Sequence, residues 1–179
     1  MSHQVALLRG INVGGYNKIA MSDLRSLLEA LGFSAVKSLR QSGNVVFDSE
    51  RLKGAALEHL LEVETAKHIG VSVDYLVRSA KELQTIIANN PFDNEARRDP
   101  SHLLVVFLKT APKPSDVNAL QAGIQGPEII RADGKQLYAV YPAGIGRSKL
   151  TNTLIEKKLA TRGTARNWNT ILKLAAMMR

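Results

Sequence analysis

The sequence predicts an α+β protein of two ferredoxin-like halves with an extra C-terminal helix, and three observations carry this prediction. Over residues 1–79, the spacing of apolar residues alternates between strand and helix in the order β-α-β-β-α-β. A polar segment with two prolines spans residues 91–101 and is predicted to be a linker. The order β-α-β-β-α then starts again, so the sequence divides into an N-terminal half, 1–90, and a C-terminal half, 102–179.

The first strand and helix of the N-terminal half have clear boundaries. The short apolar run Val5–Leu8 is typical of a buried strand, and Gly10 follows its end. Ser22 is a residue type that caps helix N-termini, and four leucines at helical spacing follow it before Gly32. These signals predict a helix with Ser22 as its N-cap.

The rest of this half is predicted to contain a hairpin, a helix and a strand. Residues 35–40 and 44–48 flank the turn Gln41-Ser42-Gly43, where glycine supplies a positive φ. Residues 54–69 have helical spacing of leucines, and residues 71–77 alternate as a strand. A capping box formed by Ser79 and Glu82 then opens a further helix.

The C-terminal half repeats this order up to its second helix. Strands are predicted over 103–108, 128–131 and 136–141, with Asp133-Gly134 as a hairpin turn, and a helix over 115–122. Spaced leucines between 150 and 159 predict the next helix. The final helix is predicted to begin at Thr164 as N-cap, with an apolar stripe of Trp168, Ile171, Leu172, Ala175 and Met178.

Composition excludes several classes of protein. With 45% hydrophobic and 22% charged residues, the chain is expected to bury a core without covalent staples. It contains no cysteine, which excludes disulfides, thiolate zinc sites and a cysteine nucleophile. Its four histidines have no ligand spacing, and the acids Glu58, Glu62 and Glu64 are expected on a solvated helix face, so neither a metal nor a cofactor is predicted. No signal or membrane segment is recognised, and the sequence predicts a soluble cytoplasmic protein.

Charge is concentrated at the C-terminal end. Residues 145–179 contain eight basic side chains and one acid, and they contribute seven of the eight net positive charges. A localised positive field raises the local concentration of anions and speeds their encounter. The expected partners are therefore a phosphorylated small molecule or a nucleic acid.

Four segments resemble one protein family. They are Val-Ala-Leu-Leu-Arg-Gly-Ile-Asn-Val-Gly-Gly-Tyr-Asn-Lys-Ile at 5–19, Gln-Ser-Gly-Asn-Val-Val-Phe at 41–47, Ser-Lys-Leu-Thr-Asn at 148–152 and Arg-Asn-Trp-Asn-Thr at 166–170. Together they closely resemble the bacterial DUF1697 family, which is named for having no assigned function. The resemblance implies a compact α+β protein of two ferredoxin-like halves, and it transfers no catalytic residue.

The loop after the first strand is one candidate ligand site. Its glycines allow close approach of backbone amides to a ligand, and its two basic residues neutralise phosphate. It lacks the lysine and hydroxyl of a P-loop, because Tyr16 and Asn17 stand at those positions. The other interpretation is a tight turn that needs positive φ. The candidate binding residues are Arg9, Gly10, Asn12, Gly14, Gly15 and Lys18.

The turn Gln41, Ser42 and Asn44 supplies further candidates and one catalytic alternative. A strand–loop–helix cradle is similar to the site of acylphosphatases, where loop amides hold phosphate and an asparagine orients water. Asn44 and Lys18 are the catalytic candidates under that hypothesis, although Lys18 is a point charge where a bidentate arginine is wanted. Turn chemistry is the simpler explanation of Ser42, because no base is positioned to activate it.

The C-terminal basic segment supplies the remaining candidates. A helix N-terminus at Thr164 would present amides, hydroxyls and guanidiniums to an anion, and a second glycine-rich start precedes residue 150. The candidate ligand-binding residues are Arg147, Lys149, Arg162, Thr164, Arg166 and Asn167.

Three functional hypotheses follow from these candidates. The first is a non-catalytic binder of a phosphorylated ligand, nucleotide or nucleic acid through a basic groove between the halves, where all four candidate segments are expected to converge. The second is a metal-independent hydrolase or transferase acting on a small phosphate ester or acyl phosphate. The third is a protein-interaction module that uses the same basic face.

Overall fold

The structure is a computed structural model that describes all 179 residues, and it contains two four-stranded antiparallel sheets and seven α-helices. It divides into two compact units: residues 1–85 together with 173–179, and residues 86–172. Each sheet has the strand order of a ferredoxin-like fold, so the predicted fold class is confirmed. None of the helices combines the length and the apolar character that a membrane crossing requires.

The first unit contains the elements predicted for the N-terminal half, and its sheet has the order β2-β3-β1-β4. Ala6 and Leu8 of β1 pack with Leu24 and Leu28 of the first helix in the core. Both faces of β1 are buried, since Val5 and Leu7 on the other face are also inaccessible to solvent. The elements are β1 Ser2–Leu8, α1 Met21–Ala30, β2 Ser34–Ser38, β3 Asn44–Ser49, α2 Gly54–His68 and β4 Tyr75–Ser79.

The second unit repeats this arrangement and completes it with a strand that the sequence analysis missed. Its sheet has the order β6-β7-β5-β8, and the strand β8 occupies the position that β4 has in the first sheet. Leu104, Val106 and Leu120 lie in its core. The elements are β5 Leu103–Leu108, α5 Pro114–Gly123, β6 Ile129–Asp133, β7 Gln136–Val140, α6 Asn152–Leu159 and β8 Gly163–Asn167.

Three more helices complete the chain. Helix α3 spans Ala80–Ala88 and helix α7 spans Trp168–Met177, so each crosses a boundary between the compact units. The segment predicted as a linker contains a short helix, α4 Asp93–Arg98, and a 3-10 turn at Pro100–His102. In α7, Leu174 is buried whereas Leu172 is 44% exposed, so the predicted apolar stripe is wrong at residue 172.

Two predicted boundaries in the first unit are wrong. Helix α1 begins at Met21, and its N-cap Ala20 has no side-chain hydrogen bond, so Ser22 lies inside the helix. Strand β4 begins only at Tyr75, which pairs with Leu8. Leu8 is the last residue of β1, so the pairing with β1 does not extend to the residues before Tyr75. Val73 is nevertheless buried in the core, which explains why residues 71–77 alternate like a strand.

Acids on α2 protect the open edge of β4. The Glu58 carboxylate accepts from the Val77 amide at 2.9 Å, and Glu62 accepts from the Tyr75 amide at 3.0 Å. Unpaired backbone amides at the edge of a sheet can pair with a strand of another chain. The two carboxylates occupy these amides and so prevent such pairing. The expectation that both acids lie on a solvated helix face is therefore wrong, and Glu58 is buried.

The capping box at the start of α3 is confirmed and gives the first testable prediction. The Ser79 hydroxyl accepts from the Glu82 amide at 3.2 Å, and Glu82 accepts from the Ser79 amide at 2.7 Å. We expect Ser79→Ala to lower the free energy of unfolding by about 1 kcal/mol, measured by urea denaturation. The control is Ser22→Ala, which removes an exposed hydroxyl that caps no helix and should change stability little. Equal losses in the two variants would contradict the capping role.

Candidate functional site

The connection between β1 and α1 contains a small hairpin turn over residues 13–16. Gly14 and Gly15 have φ values of 58° and 79°, and the Tyr16 amide donates to the Val13 carbonyl at 3.0 Å. Positive φ at both central residues is what a type I′ turn requires. Val13 and Tyr16 are 67% and 79% exposed, so the tip of the loop presents apolar and aromatic surface.

Asn12 closes the base of this loop with its side chain. Its Oδ1 accepts from the Ile19 amide at 3.0 Å, and its Nδ2 donates to the Ile19 carbonyl at 3.1 Å and the Gln41 carbonyl at 2.6 Å. These hydrogen bonds engage both polar atoms of the Asn12 side chain and hold the loop against the turn at 41–44. The structure therefore brings two of the predicted segments together within the first unit.

The basic residues of the loop have different environments. Arg9 is partly exposed and lies 3.5 Å from the Asp74 carboxylate, so its charge already has a partner within the unit. Lys18 is exposed to solvent. Gly10 has a φ of 66° and open space around its Cα, which agrees with the turn interpretation.

In the hairpin turn, Asn44 is fully buried. Its Nδ2 donates to the Leu39 carbonyl at 3.2 Å and to the Ser42 hydroxyl at 2.9 Å. These bonds use the amide nitrogen of Asn44 within the turn. Gln41 and Ser42 are exposed, whereas Gly43 packs closely against Leu8 and Ile11.

The last helix does not begin at Thr164, as the sequence predicted, but at Trp168. Thr164 lies inside strand β8, where it pairs with Phe107 of β5. The cap of α7 is instead Asn167, whose Oδ1 accepts from the Thr170 amide at 3.0 Å. Thr164 and Asn167 therefore do not form one exposed helix N-terminus with Arg162, which is solvent-exposed in the turn before β8.

The Arg166 side chain forms hydrogen bonds with its own strand. Its guanidinium donates to the Thr164 hydroxyl at 2.7 Å and to the Ala165 carbonyl at 2.8 Å. Burial lowers the pKa of the Arg166 guanidinium from its usual value to about 10, because removal from water disfavours the charged form. The Arg166 side chain thus makes hydrogen bonds within the second unit, and its role as a ligand-binding residue stays a prediction.

An open cavity of about 640 Å³ lies entirely within the second unit. It is formed by the end of α5, the α5–β6 connection over 124–128, the β7–α6 connection over 141–151 and one face of α6. In the first unit the corresponding connections span only 31–33 and 50–53. The longer connections add the residues that surround this space, and loops on a rigid scaffold commonly carry binding sites.

The walls of the cavity are apolar and three of its lining residues are basic. Arg147, Lys149 and Lys158 are exposed and form no ion pair. The predicted helix start before residue 150 is wrong, because α6 begins at Asn152 with Thr151 as its cap. Arg147 and Lys149 therefore line the cavity from a loop. The apolar lining residues are Ala119, Leu120, Ile124, Pro127, Ala143, Leu150 and Leu154.

The residues that line the cavity also include one acid, Glu128, and one hydroxyl, that of Ser148. The Ser148 hydroxyl donates to Glu128 Oε1 at 2.5 Å and accepts from the Leu150 amide at 3.1 Å. The Tyr141 hydroxyl donates to the Leu150 carbonyl at 2.9 Å, which anchors the same loop. Burial and the nearby Glu128 charge raise the pKa of Tyr141 to about 12. Nowhere in the chain do three potential metal ligands meet.

Of the four charged residues that line the cavity, Arg147 and Lys149 were predicted from the sequence, whereas Glu128 and Lys158 were not. Glu128 and Lys158 lie 21 and 9 residues from Lys149, so only the folded chain brings them together. A signal was nevertheless available. Alignment of the two halves shows the β7–α6 connection to be much longer than its counterpart, and such extra length is typical of functional loops. The predicted convergence of all four segments between the halves stays a prediction.

Comparisons with known proteins agree with the resemblance seen in the sequence. A family model described as "Protein of unknown function (DUF1697)" matches residues 1–138. The segments at 148–152 and 166–170 lie beyond the matched residues. Among solved structures, the chain is similar to the conserved bacterial protein SP0830 from Streptococcus pneumoniae, with 26% identity, a TM-score of 0.77 and 99% of each chain covered. A search of curated proteins returned no match.

Proposed function

The chain belongs to the DUF1697 family, whose description assigns no function, and from the geometry of the cavity we propose that it is a non-catalytic binder of a small phosphorylated ligand. The single observation that carries the proposal is the cavity of about 640 Å³ with three unpaired basic side chains among its lining residues. Small-molecule sites are commonly concave, mostly apolar and supplied with a few polar groups, and their volumes run from about 300 to 1,000 Å³.

Charge supports an anionic ligand for this cavity. Arg147, Lys149 and Lys158 come from two separate elements, the β7–α6 connection and α6, yet they line one space. Three cations and one acid, Glu128, line the cavity, and this excess of positive charge favours an anion. Arginine and lysine are the side chains that hold phosphate, as a fork and as a point charge respectively.

The test compares two charge-matched triple variants. The first is Arg147→Gln, Lys149→Gln and Lys158→Gln, which removes the basic residues of the cavity. The control is Arg51→Gln, Lys53→Gln and Lys67→Gln, three exposed residues of the first unit, so that both variants lose the same net charge. Calorimetric titration with inorganic pyrophosphate and a series of nucleoside monophosphates at low salt measures the affinity of each protein.

We expect the cavity variant to bind at least about tenfold more weakly than the natural protein, because three cations each contribute about 0.5–1 kcal/mol to anion binding. The control variant should keep its affinity. Equal losses in both variants, or no binding by the natural protein, would contradict the proposal. Preferential binding of single-stranded RNA, with a salt slope near −0.7 per phosphate, would assign the basic residues to nucleic acid instead.

A further inference from the structure

Glu128 is a buried acid with one carboxylate oxygen unused. The residue is only 8% exposed and lines the cavity. Ser148 donates to its Oε1, whereas the chain supplies no donor to Oε2. Oε2 itself keeps contact with solvent, because Gln4 Oε1 is the one buried side-chain polar atom that has no partner. A ligand that covers Oε2 must therefore replace its water with hydrogen-bond donors. The second oxygen is thus suited to a donor that arrives with a ligand.

The position of this carboxylate is set by its neighbours. A Cβ atom at Gly126 would lie 2.3 Å from Glu128 Oε2, so the side chain rests against a bare glycine Cα. The backbone of Glu128 is also held, since its carbonyl accepts from Gln121 Nε2 at 3.4 Å. With Ser148 on the other oxygen, the carboxylate is restrained before any ligand binds. Such preorganisation reduces the entropy lost on binding.

Building on the proposed function, we infer that the phosphorylated ligand is a guanine nucleotide, whose base donates its N1–H and N2–H groups to Glu128. A carboxylate only accepts hydrogen bonds, and its two oxygens offer about four lone-pair positions, of which Ser148 uses one. Guanine alone among the common bases presents two adjacent donors on its Watson–Crick edge. Adenine and cytosine place an acceptor nitrogen beside the amino group, and uracil flanks its N–H with two carbonyl oxygens, so each would set a lone pair against the carboxylate.

The remaining lining residues suit the other parts of such a ligand. Leu120, Ile124 and Leu154 give apolar surface for the faces of a planar base. Ser148, which contacts Glu128, is flanked in the chain by Arg147 and Lys149. Glu128, Arg147 and Lys149 line the same cavity, so a nucleotide bound there has a candidate partner for its base and for its phosphate.

The experiment measures base preference first on the natural protein and then on a variant. Calorimetric titration compares guanosine, inosine, adenosine and uridine monophosphates, together with inorganic pyrophosphate. Inosine monophosphate lacks only the N2 amino group. We expect guanosine monophosphate to bind at least about tenfold more tightly than each of the other nucleotides, because a site built around a buried acceptor rejects ligands that leave it unpaired.

The variant Glu128→Gln places an amide donor where Oε2 was, opposite the guanine donors. Its preference for guanosine monophosphate should disappear, while its affinity for pyrophosphate should not fall, because the substitution removes a negative charge from the cavity. Glu50→Gln, an exposed acid of the first unit, is the matched control and should keep the preference. The base series on the natural protein needs no variant, so the inference is decided even if Glu128→Gln fails to fold.

The outcomes separate this inference from the proposed function. Equal affinity for all four nucleotides, lost in the triple cation variant, would overturn the guanine assignment and leave the anion-binding function standing. A preference for adenosine or uridine monophosphate would overturn it in the same way. If neither pyrophosphate nor any nucleotide binds, the proposed function fails and the guanine assignment fails with it.

Discussion

Replacing Gly43 by alanine should lower the free energy of unfolding by about 2–5 kcal/mol. The residue has a φ of 79°, which costs an L-residue about 1–2 kcal/mol. An added Cβ would also lie 2.9 Å from Leu8 Cβ and 2.9 Å from Ile11 Cδ1, and overpacking of this kind costs about 1–3 kcal/mol more. Both penalties fall on the turn that holds the β1–α1 loop, and urea denaturation measures their sum.

Gly70 provides the control for this prediction. Its φ of 80° is nearly identical, but no atom lies within 4 Å of the position that a Cβ would take. Gly70→Ala should therefore show only the backbone penalty, about 1–2 kcal/mol. The difference between the variants measures the packing of Gly43 against Leu8 and Ile11. If the two variants lose the same stability, that close contact is unimportant.

Raising the pH from 10 to 12 should destabilise the protein strongly. Burial raises the pKa of Tyr75, Tyr138 and Tyr141 from 10.0 to about 12. Below pH 10 these phenols are protonated in the folded and unfolded chains, so their contribution to stability is complete. Between pH 10 and 12 the unfolded chain loses their protons first, and the contribution disappears.

The expected loss in the free energy of unfolding is on the order of 4 kcal/mol. Each pKa unit corresponds to about 1.4 kcal/mol, and solvent screening reduces the total contribution of the three tyrosines. Arg166 offsets part of it, since its lowered pKa of about 10 means that the folded chain loses that proton before the unfolded chain does. The free energy of unfolding at pH 10 and at pH 12, obtained from urea titrations, measures the net change.

The triple variant Tyr75→Phe, Tyr138→Phe and Tyr141→Phe tests the cause. It should be less stable at neutral pH, because the hydroxyls bond to Thr65 and to the carbonyls of Ile86 and Leu150. Its stability should then fall much less between pH 10 and 12. Tyr16→Phe, at a residue that is 79% exposed, should follow the natural profile. A triple variant with the natural pH profile would show that other groups cause the loss.

Prediction from sequence succeeded where local signals were strong. The apolar run of β5, the leucine spacing of α1 and the capping box of Ser79 and Glu82 all appear in the structure. Each of these patterns lies within about ten residues, a distance over which side-chain spacing and capping decide local structure. The turns at Gly43 and Gly134 succeeded for the same reason, since both glycines have positive φ.

Prediction failed where pairing across the chain decided the outcome. Residues 163–167 contain one small apolar side chain, Ala165, and a threonine that is typical of a helix cap. They form a strand because β5, which is almost wholly apolar, leaves an edge whose backbone groups need partners. Thr164 and Arg166 are therefore members of a sheet and not of a helix start.

The sequence by itself determined the family, the fold class and the concentration of positive charge at the C-terminal end, because motifs, apolar periodicity and charge are properties of the order of residues. Only the tertiary structure decided which charged residues share a site. Glu128, Arg147 and Lys158 come together because two connections of the second unit are longer than their counterparts in the first and fold over the end of α5. Contacts of this kind depend on how distant segments pack, and the local spacing of residue types along the chain does not determine that packing.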